Sequence, residues 1–274
     1  MADRLLFLLG LALGTVCPAA PATGLPLAHD TVALRLVLNL PAYRLEALEG
    51  DSLAATLRVA IGSREYPTPT GRFTVTRITW NPWWYPPARD WARNDTITPP
   101  CPTNPMGVVK LGFGDGFFIH GTPAPSSIGS AASHGCVRTA NSDAQALAEL
   151  IVRHAHPDAL PAVRGWASAA TTRVLALRHG VALEIRYDLA EVRGDSLLLY
   201  PDVYARAPAT AARVRLALTA LAAGGVNVQR IDRFVLGRAI ATSRRGRVAV
   251  AIVDLLEPPL VVTGPVIPAT GGIP

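Results

Sequence analysis

His120 and Cys136 lie sixteen positions apart, in a run that opens with Phe117-Phe-Ile-His-Gly-Thr122 and closes with Ser133-His-Gly-Cys-Val-Arg138. The run holds a thiol, two imidazoles and a guanidinium among small, flexible residues. A thiol attacks only as its thiolate, and free cysteine is mostly protonated at neutral pH. An imidazole beside it can take that proton and later return it to a leaving group. These are the parts of a cysteine nucleophile and its general base. The Gly121 carbonyl is placed to hold the ring tautomer of His120, the task a carboxylate performs in a Ser-His-Asp triad. Backbone N–H groups along Ser133, His134, Gly135 and Cys136 are free to face a developing oxyanion, and one such donor is worth roughly 3–4 kcal/mol of barrier. Gly135 lets that backbone approach closely. Arg138 suits a substrate carboxylate bidentately, or else a structural salt bridge.

Each residue also has a plainer use. A lone cysteine is commonly a small buried hydrophobe. Two histidines and a cysteine could ligate zinc, but only three ligands are on offer and His134 and Cys136 are i, i+2 neighbours. The sequence therefore calls for neither a metal nor a cofactor. His154-x-His156-x-Asp158 reads as a solvated cluster at a fraying helix end rather than a metal site. Gly112-x-Gly114-x-Gly116 reads as a hairpin turn, because no helix follows it to complete a phosphate loop.

The elements that must position these residues follow from periodicity. Leu34, Leu36, Leu38 and Leu40 alternate along a first strand. Tyr43–Ala47 and Leu53–Ile61 flank a Glu49-Gly50-Asp51 turn. Arg72–Trp80 is a strand opened by Pro67-Thr-Pro-Thr-Gly71, and the proline- and aromatic-rich stretch from Asn81 to Pro105 is irregular. Val108–Phe113 and Phe117–His120 form a hairpin around Gly-Asp-Gly. Ser142-Asp-Ala-Gln145 has the form of a capping box for a helix over 143–155, with Leu147, Leu150 and Ile151 on one face. Residues 159–178 read as a short helix and connector, and Val181–Tyr187 as a strand. Beyond lie two strands around Val192–Ser196, a helix over Ala207–Ala223 ending at Gly224-Gly225, and a hairpin made of Arg233–Ala241 and Arg247–Val253. The tail after Glu257 reads as extended.

The chain has 274 residues, half of them hydrophobic. That length suits one large domain or two smaller ones. Residues 1–22 read as a secretory signal, with an apolar run over Leu5–Val16 and a small-x-small site at Ala20-Pro-Ala22. That run is too short to span a bilayer, so membrane contact is expected only through an uncleaved signal. Export to the periplasm or cell envelope follows. Removal of the signal deletes Cys17 and leaves Cys101 and Cys136. In an oxidising compartment two cysteines would usually pair, but a Cys101–Cys136 bridge would disable the thiol, so both are expected to be reduced. Net charge is +6, and Lys110 is the sole lysine among 26 basic residues. Dispersed arginines with no basic helical stripe argue against nucleic acid as a partner. An anionic envelope polymer or membrane surface is the more economical one.

The ordered segments His120-Gly-Thr122, Ser127-Ile-Gly129 and Ser133-His-Gly-Cys-Val-Arg138 resemble the catalytic signature of the L,D-transpeptidases, the YkuD-like domain. Leu38-Asn-Leu-Pro41 with Arg44-Leu45, Thr68-Pro-Thr-Gly-Arg-Phe73, Asn81-Pro-x-Trp84 and Asn104-Pro-Met-Gly107 extend the likeness over residues 32–190. The resemblance implies a mainly β fold with some α, a β-sandwich or barrel catalytic domain; the strands and helix read beyond it make 191–274 a smaller α+β region outside the likeness. It implies Cys136 as nucleophile, His120 as base, Gly121 as orienting carbonyl, and His134, Gly135 and Cys136 around the oxyanion. Arg138, Ser133 and Trp84 would face the substrate, although Trp84 and its aromatic neighbours could equally pack over the sheet.

The implied substrate is the peptidoglycan stem peptide, cut after the L-centre of its third residue with release of D-alanine and transfer to an amine. Carbapenems are the implied inhibitors. Water as acceptor would make the protein a hydrolase or L,D-carboxypeptidase, and a non-catalytic envelope-binding protein is the remaining alternative. Cys101, within Pro-Pro-Cys-Pro, departs from the family pattern.

Overall fold

The alternating leucines place the first strand at the centre of a large sheet. The computed structural model describes residues 33–257; the signal and the tail after Glu257 lie outside the described residues. Along the chain run β1 (Leu34–Asn39), β2 (Arg44–Glu49), β3 (Ser52–Arg58), β4 (Ile61–Gly62), β5 (Gly71–Trp80), β6 (Val109–Gly114), β7 (Phe117–Thr122), β8 (Ala131–Ser133) and β9 (Val137–Ala140). There follow α1 (Asn141–Ala155), α2 (Leu160–Val163), β10 (Arg173–Arg186), β11 (Ala190–Arg193), β12 (Ser196–Leu199), α3 (Thr210–Ala223), α4 (Arg233–Thr242) and β13 (Val248–Ala251). Eight strands form one sheet in the order β3-β2-β1-β10-β5-β6-β7-β9, and β4 pairs with β8 beside it. The sheet nearly closes on itself, because Ala60, just past β3, bridges to Arg138 on β9. The architecture is mainly β with α, as expected.

Leu36 and Leu38 bury fully and Leu34 nearly so on one face, and Val37 and Asn39 are buried on the other. A strand covered on both sides is what a central position produces. α1 lays Ala144, Leu147, Ala148, Ile151 and Val152 into the same core as β6, β7 and β10.

Its start differs from the capping box expected at Ser142–Gln145. β9 runs into the helix without a loop, so Ser142 already lies inside it and the cap position, Ala140, offers no side-chain bond. Asn141 Oδ1 instead accepts from the Val108 N–H at 3.1 Å, tying the helix start to β6. His154, His156 and Asp158 go to three separate partners, Glu49, the Ala176 carbonyl and Arg178.

Two further segments fold otherwise than their sequence suggests. Residues 173–178 are not connector but the first half of β10, whose pairing with β5 slips between Ala176 and Val181. Arg233–Ala241 is not a strand but α4. Asp232 caps it by accepting from the Phe234 and Val235 N–H groups at 2.8 and 3.1 Å, and Leu236 and Ile240, four apart, bury on one face. β13 accordingly pairs with β12 instead of closing a hairpin with that segment. The three strands β11, β12 and β13 and the helices α3 and α4 enclose a second core around Leu197, Leu199, Leu221, Leu236 and Ile240. This region is joined to the main sheet by ion pairs: Arg193 meets Glu46 at 2.8 Å and Arg44 meets Glu191 at 2.5 Å.

Candidate active site

Strand register assembles the chemistry. On β6, β7 and β9, Lys110, His120 and Arg138 stand directly opposite one another. Cys136 leads into β9, two positions before Arg138. His120, Ser133, His134, Cys136 and Arg138 line one cleft of about 490 Å³, together with Trp84, Tyr85 and Trp91 from the irregular segment. That segment is held by Asn104, whose Nδ2 donates to the carbonyls of Pro82, Thr98 and Pro99 at 3.0–3.1 Å. Trp84 both lines the cleft and stacks on Trp91, whereas Trp80 is wholly buried in the core against Trp166. Cys101 is exposed, 3.3 Å from the Thr103 hydroxyl, and both described cysteines are free thiols.

His120 is 4% exposed, and its Nδ1 lies 2.6 Å from the Gly121 carbonyl. A carbonyl only accepts, so the neutral ring carries its proton on Nδ1 and leaves Nε2 as an acceptor. Burial pushes the His120 imidazole down to about 4; the Gly121 carbonyl opposes this, and the charges of Arg138 and Lys110 add to it. Burial also pushes the Cys136 thiol up, against the Phe118 N–H and the same two cations. The resting pair is therefore a neutral imidazole and a neutral thiol, not an ion pair. Proton transfer has to accompany attack.

Two consequences are measurable. The acid limb of kcat/KM should lie near pH 4, because His120 stays unprotonated until pH falls through about 4. Alkylation of Cys136 by iodoacetamide should rise with pH around a midpoint above that of a free cysteine, about 8.5. A limb near 6.5 would contradict the first, and a midpoint near 7 the second.

The loop before Cys136 is less open than its sequence implies. The Gly135 N–H donates to Ser133 Oγ at 3.1 Å, and the Ser133 hydroxyl donates to the Cys136 carbonyl at 2.5 Å. Ser133 thus shapes the turn, and the Gly135 N–H is turned inward to it. Among the described residues, the backbone N–H groups of His134 and Cys136 make no hydrogen bond, which leaves them to an oxyanion. Gly135 sits at φ 109°, and a Cβ there would come 2.9 Å from the Phe117 ring. The His134 ring stacks on Trp91 with centroids 3.9 Å apart and planes at 3°. Burial, with Arg138, holds its imidazole below the usual range, so it serves as a wall rather than a cation.

Four residues take roles that motif reading does not assign: Gly62, Tyr204 and Lys110 lie outside the motifs, and Thr68 reads only as part of a turn. The Thr68 hydroxyl accepts from the Gly62 N–H at 2.8 Å and donates to the Gly135 carbonyl at 2.9 Å. Tyr204, from the C-terminal region, donates to the Gly62 carbonyl at 2.8 Å and accepts from the Thr68 N–H at 3.1 Å. These buried bonds clamp the loop that carries Cys136. Lys110, the fourth, has no motif at all and is found only through register. Tyr204→Phe leaves the Thr68 N–H without its partner, and should cost about 1–3 kcal/mol, or several degrees of Tm in thermal unfolding. A Tm within one degree of the parent would show the clamp to be idle.

Comparison with known proteins bears on this geometry. The family model for the L,D-transpeptidase catalytic domain, YkuD, matches residues 34–172, half of the chain. The chain is 35% identical over 131 residues to "Probable L,D-transpeptidase YbiS" of Escherichia coli K12, covering 44% of this chain and 43% of that protein. It is 34% identical over 123 residues to "Probable L,D-transpeptidase ErfK/SrfK" of Salmonella typhimurium, covering 42% and 40%. It therefore spans less than half the length of these two relatives. Among solved structures, L,D-transpeptidase 3 from Mycobacterium tuberculosis in complex with a faropenem-derived adduct aligns with a TM-score of 0.38 at 13% identity, over 56% of this chain and 60% of that one. On the match over residues 34–172, this chain belongs to the family of L,D-transpeptidase catalytic domains.

Proposed function

We propose that the protein is an exported cysteine L,D-transpeptidase that works on peptidoglycan stem peptides in the periplasm or cell envelope. The observation that carries this reading is the orientation of His120. With Nδ1 engaged by Gly121, its Nε2 is the acceptor available to the thiol that shares its cleft. The Cys136 sulfur attacks the carbonyl carbon of the third stem residue as His120 takes the thiol proton. The oxyanion meets the N–H groups of His134 and Cys136. Collapse breaks the C–N bond, and His120 hands its proton to the departing amine of D-alanine. A thioester remains. An acceptor amine then attacks it, losing its proton to His120, and the C–S bond breaks as the proton returns to sulfur.

The test is to incubate the purified protein with tetrapeptide muropeptides and read the products by mass spectrometry. Cross-linked 3→3 dimers support transfer. Trimmed monomers alone would make water the acceptor and the protein a carboxypeptidase. Unchanged substrate with an intact thiol would overturn both. A carbapenem should add its whole mass to Cys136, because opening the lactam expels no fragment. Amino-terminal sequencing of envelope-fraction protein should begin near Thr23 if the leader is cut.

A further inference from the structure

A second groove, of about 300 Å³, adjoins the cleft, and Tyr85 and Phe118 line both. Lys110 and Arg77 face it from adjacent strands, with Thr79, directly across from Lys110, between them on the same face. Gly112, opposite Phe118, has no side chain to fill the floor. The Lys110 Nζ lies 4.7 Å from the centroid of the Phe118 ring. Among the described residues, neither Lys110 nor Arg77 makes an ion pair. Burial, and then the neighbouring Arg77, hold the Lys110 ammonium below its usual range, while the Cys136 thiolate pulls the other way. A half-buried lysine, close enough to the sulfur to sense its charge, and an exposed arginine share the groove without a counter-ion among the described residues. An anion is what that arrangement lacks.

We infer that the Lys110–Arg77 groove is an anion subsite for the acceptor, selecting an amine that carries a carboxylate on the adjacent carbon. The inference rests on the transpeptidase reading and names the class of acceptor. Geometry sets the groove beside the amine that His120 serves, D-alanine as it departs and then the acceptor. His120 must take the proton of the attacking amine, so the amine approaches on the His120 side of the thioester. Lys110 stands directly across from His120, and opposed residues on paired strands keep their Cβ atoms about 4.5–5.5 Å apart. An amine near Nε2 therefore puts a carboxylate two bonds away within reach of the Lys110 ammonium, with Arg77 behind it. The amine attacks the thioester carbon, its proton goes to His120 and then to sulfur, and the new amide leaves with the carboxylate unchanged. The same positive charge favours the neutral, nucleophilic form of the incoming amine. A carboxamide at that position keeps the shape and loses the charge.

Two ratios test this in the full chain, each internal to a variant, so that a general loss of folding or thiol reactivity cancels. The first is the partition of the acyl-enzyme between D-methionine and D-methioninamide, after acylation by a tetrapeptide. The parent should favour the free acid by about tenfold or more, and Lys110→Gln with Arg77→Gln should bring the ratio close to one. The second needs no acyl transfer: alkylation of Cys136 by iodoacetate against iodoacetamide, read by peptide mass mapping and normalised to free cysteine. The double variant should lower that ratio by about tenfold while Arg138 remains in place. Ratios unchanged in the double variant overturn the subsite and leave the transpeptidase reading standing. Failure of the tetrapeptide to acylate Cys136 overturns that reading, and the iodoacetate ratio still decides the anion site.

Discussion

Cys136→Ala is expected to lower acyl transfer by about 10⁴-fold or more, because residues that act as one nucleophilic unit fail together when the nucleophile goes. No other group in the cleft can replace it. His134 is packed flat against Trp91, and the Ser133 hydroxyl is committed to the Cys136 carbonyl. Cys136→Ser should be nearly as inactive. An imidazole held near 4 is a weak base for an alcohol, which surrenders its proton far less readily than a thiol. Stability should change little in either variant, since sulfur is a weak hydrogen-bonding group and its contacts are the Phe118 N–H and the Gly116 carbonyl, the latter long at 3.7 Å. The pair of measurements is product formation from tetrapeptide muropeptides and thermal unfolding. Activity of Cys136→Ala within tenfold of the parent would remove the thiol from the mechanism.

The second large effect is expected at Gly62→Ala. A Cβ there would lie 2.1 Å from the Tyr66 carbonyl oxygen, 2.7 Å from the Thr68 nitrogen and 3.0 Å from the Gly135 Cα. These are backbone atoms, which cannot swing aside as a side-chain tip can. Overpacking alone costs about 1–3 kcal/mol. The relay through Thr68 to Gly135, and the Tyr204 bond to the Gly62 carbonyl, would be disturbed with it. A total of roughly 3–4 kcal/mol corresponds to a Tm lower by about 10 °C. Whatever protein remains folded should alkylate at Cys136 with altered kinetics, because the Gly135 carbonyl has lost its anchor. Differential scanning calorimetry checks the first claim, and a Tm within two degrees of the parent would contradict it.

Local pattern made some of this legible and could not reach the rest. The leucine alternation over 34–40 and the Glu49-Gly50-Asp51 turn speak of structure within a few residues, and both strands are where periodicity puts them. Arg233–Ala241 misleads because its branched, apolar residues suit either element, and Asp232, which decides for the helix, acts through its side chain. Arg173–Leu177 lacks the alternation of a half-buried strand, because the sheet that recruits it is distant in sequence. At the site, Cys136, His120 and Gly121 declare themselves by type and spacing. Sequence alone leaves the Gly135 N–H free, and only the folded turn shows it turned toward Ser133. Tyr204 and Lys110 carry no local signal. One reaches Gly62 and Thr68, which brace the Cys136 loop, from well over a hundred residues away, and the other becomes a neighbour of His120 only once β6 and β7 pair.

That same long reach governs how the chain comes together. β1 is flanked in the sheet by β2, its close neighbour in sequence, and by β10, to which it runs parallel with Leu36 beside Leu183. The middle of the sheet therefore stays unzipped until residues 173–186 have been made. β10 lies beyond the 34–172 span of the family match, so a protein trimmed to that span would lack the strand that joins its two halves. Pairings this remote in sequence are reached slowly, because a large loop must close before they return anything. A polypeptide with such a delayed closure remains threadable for most of its synthesis, the condition under which an unfolded chain passes through a narrow pore.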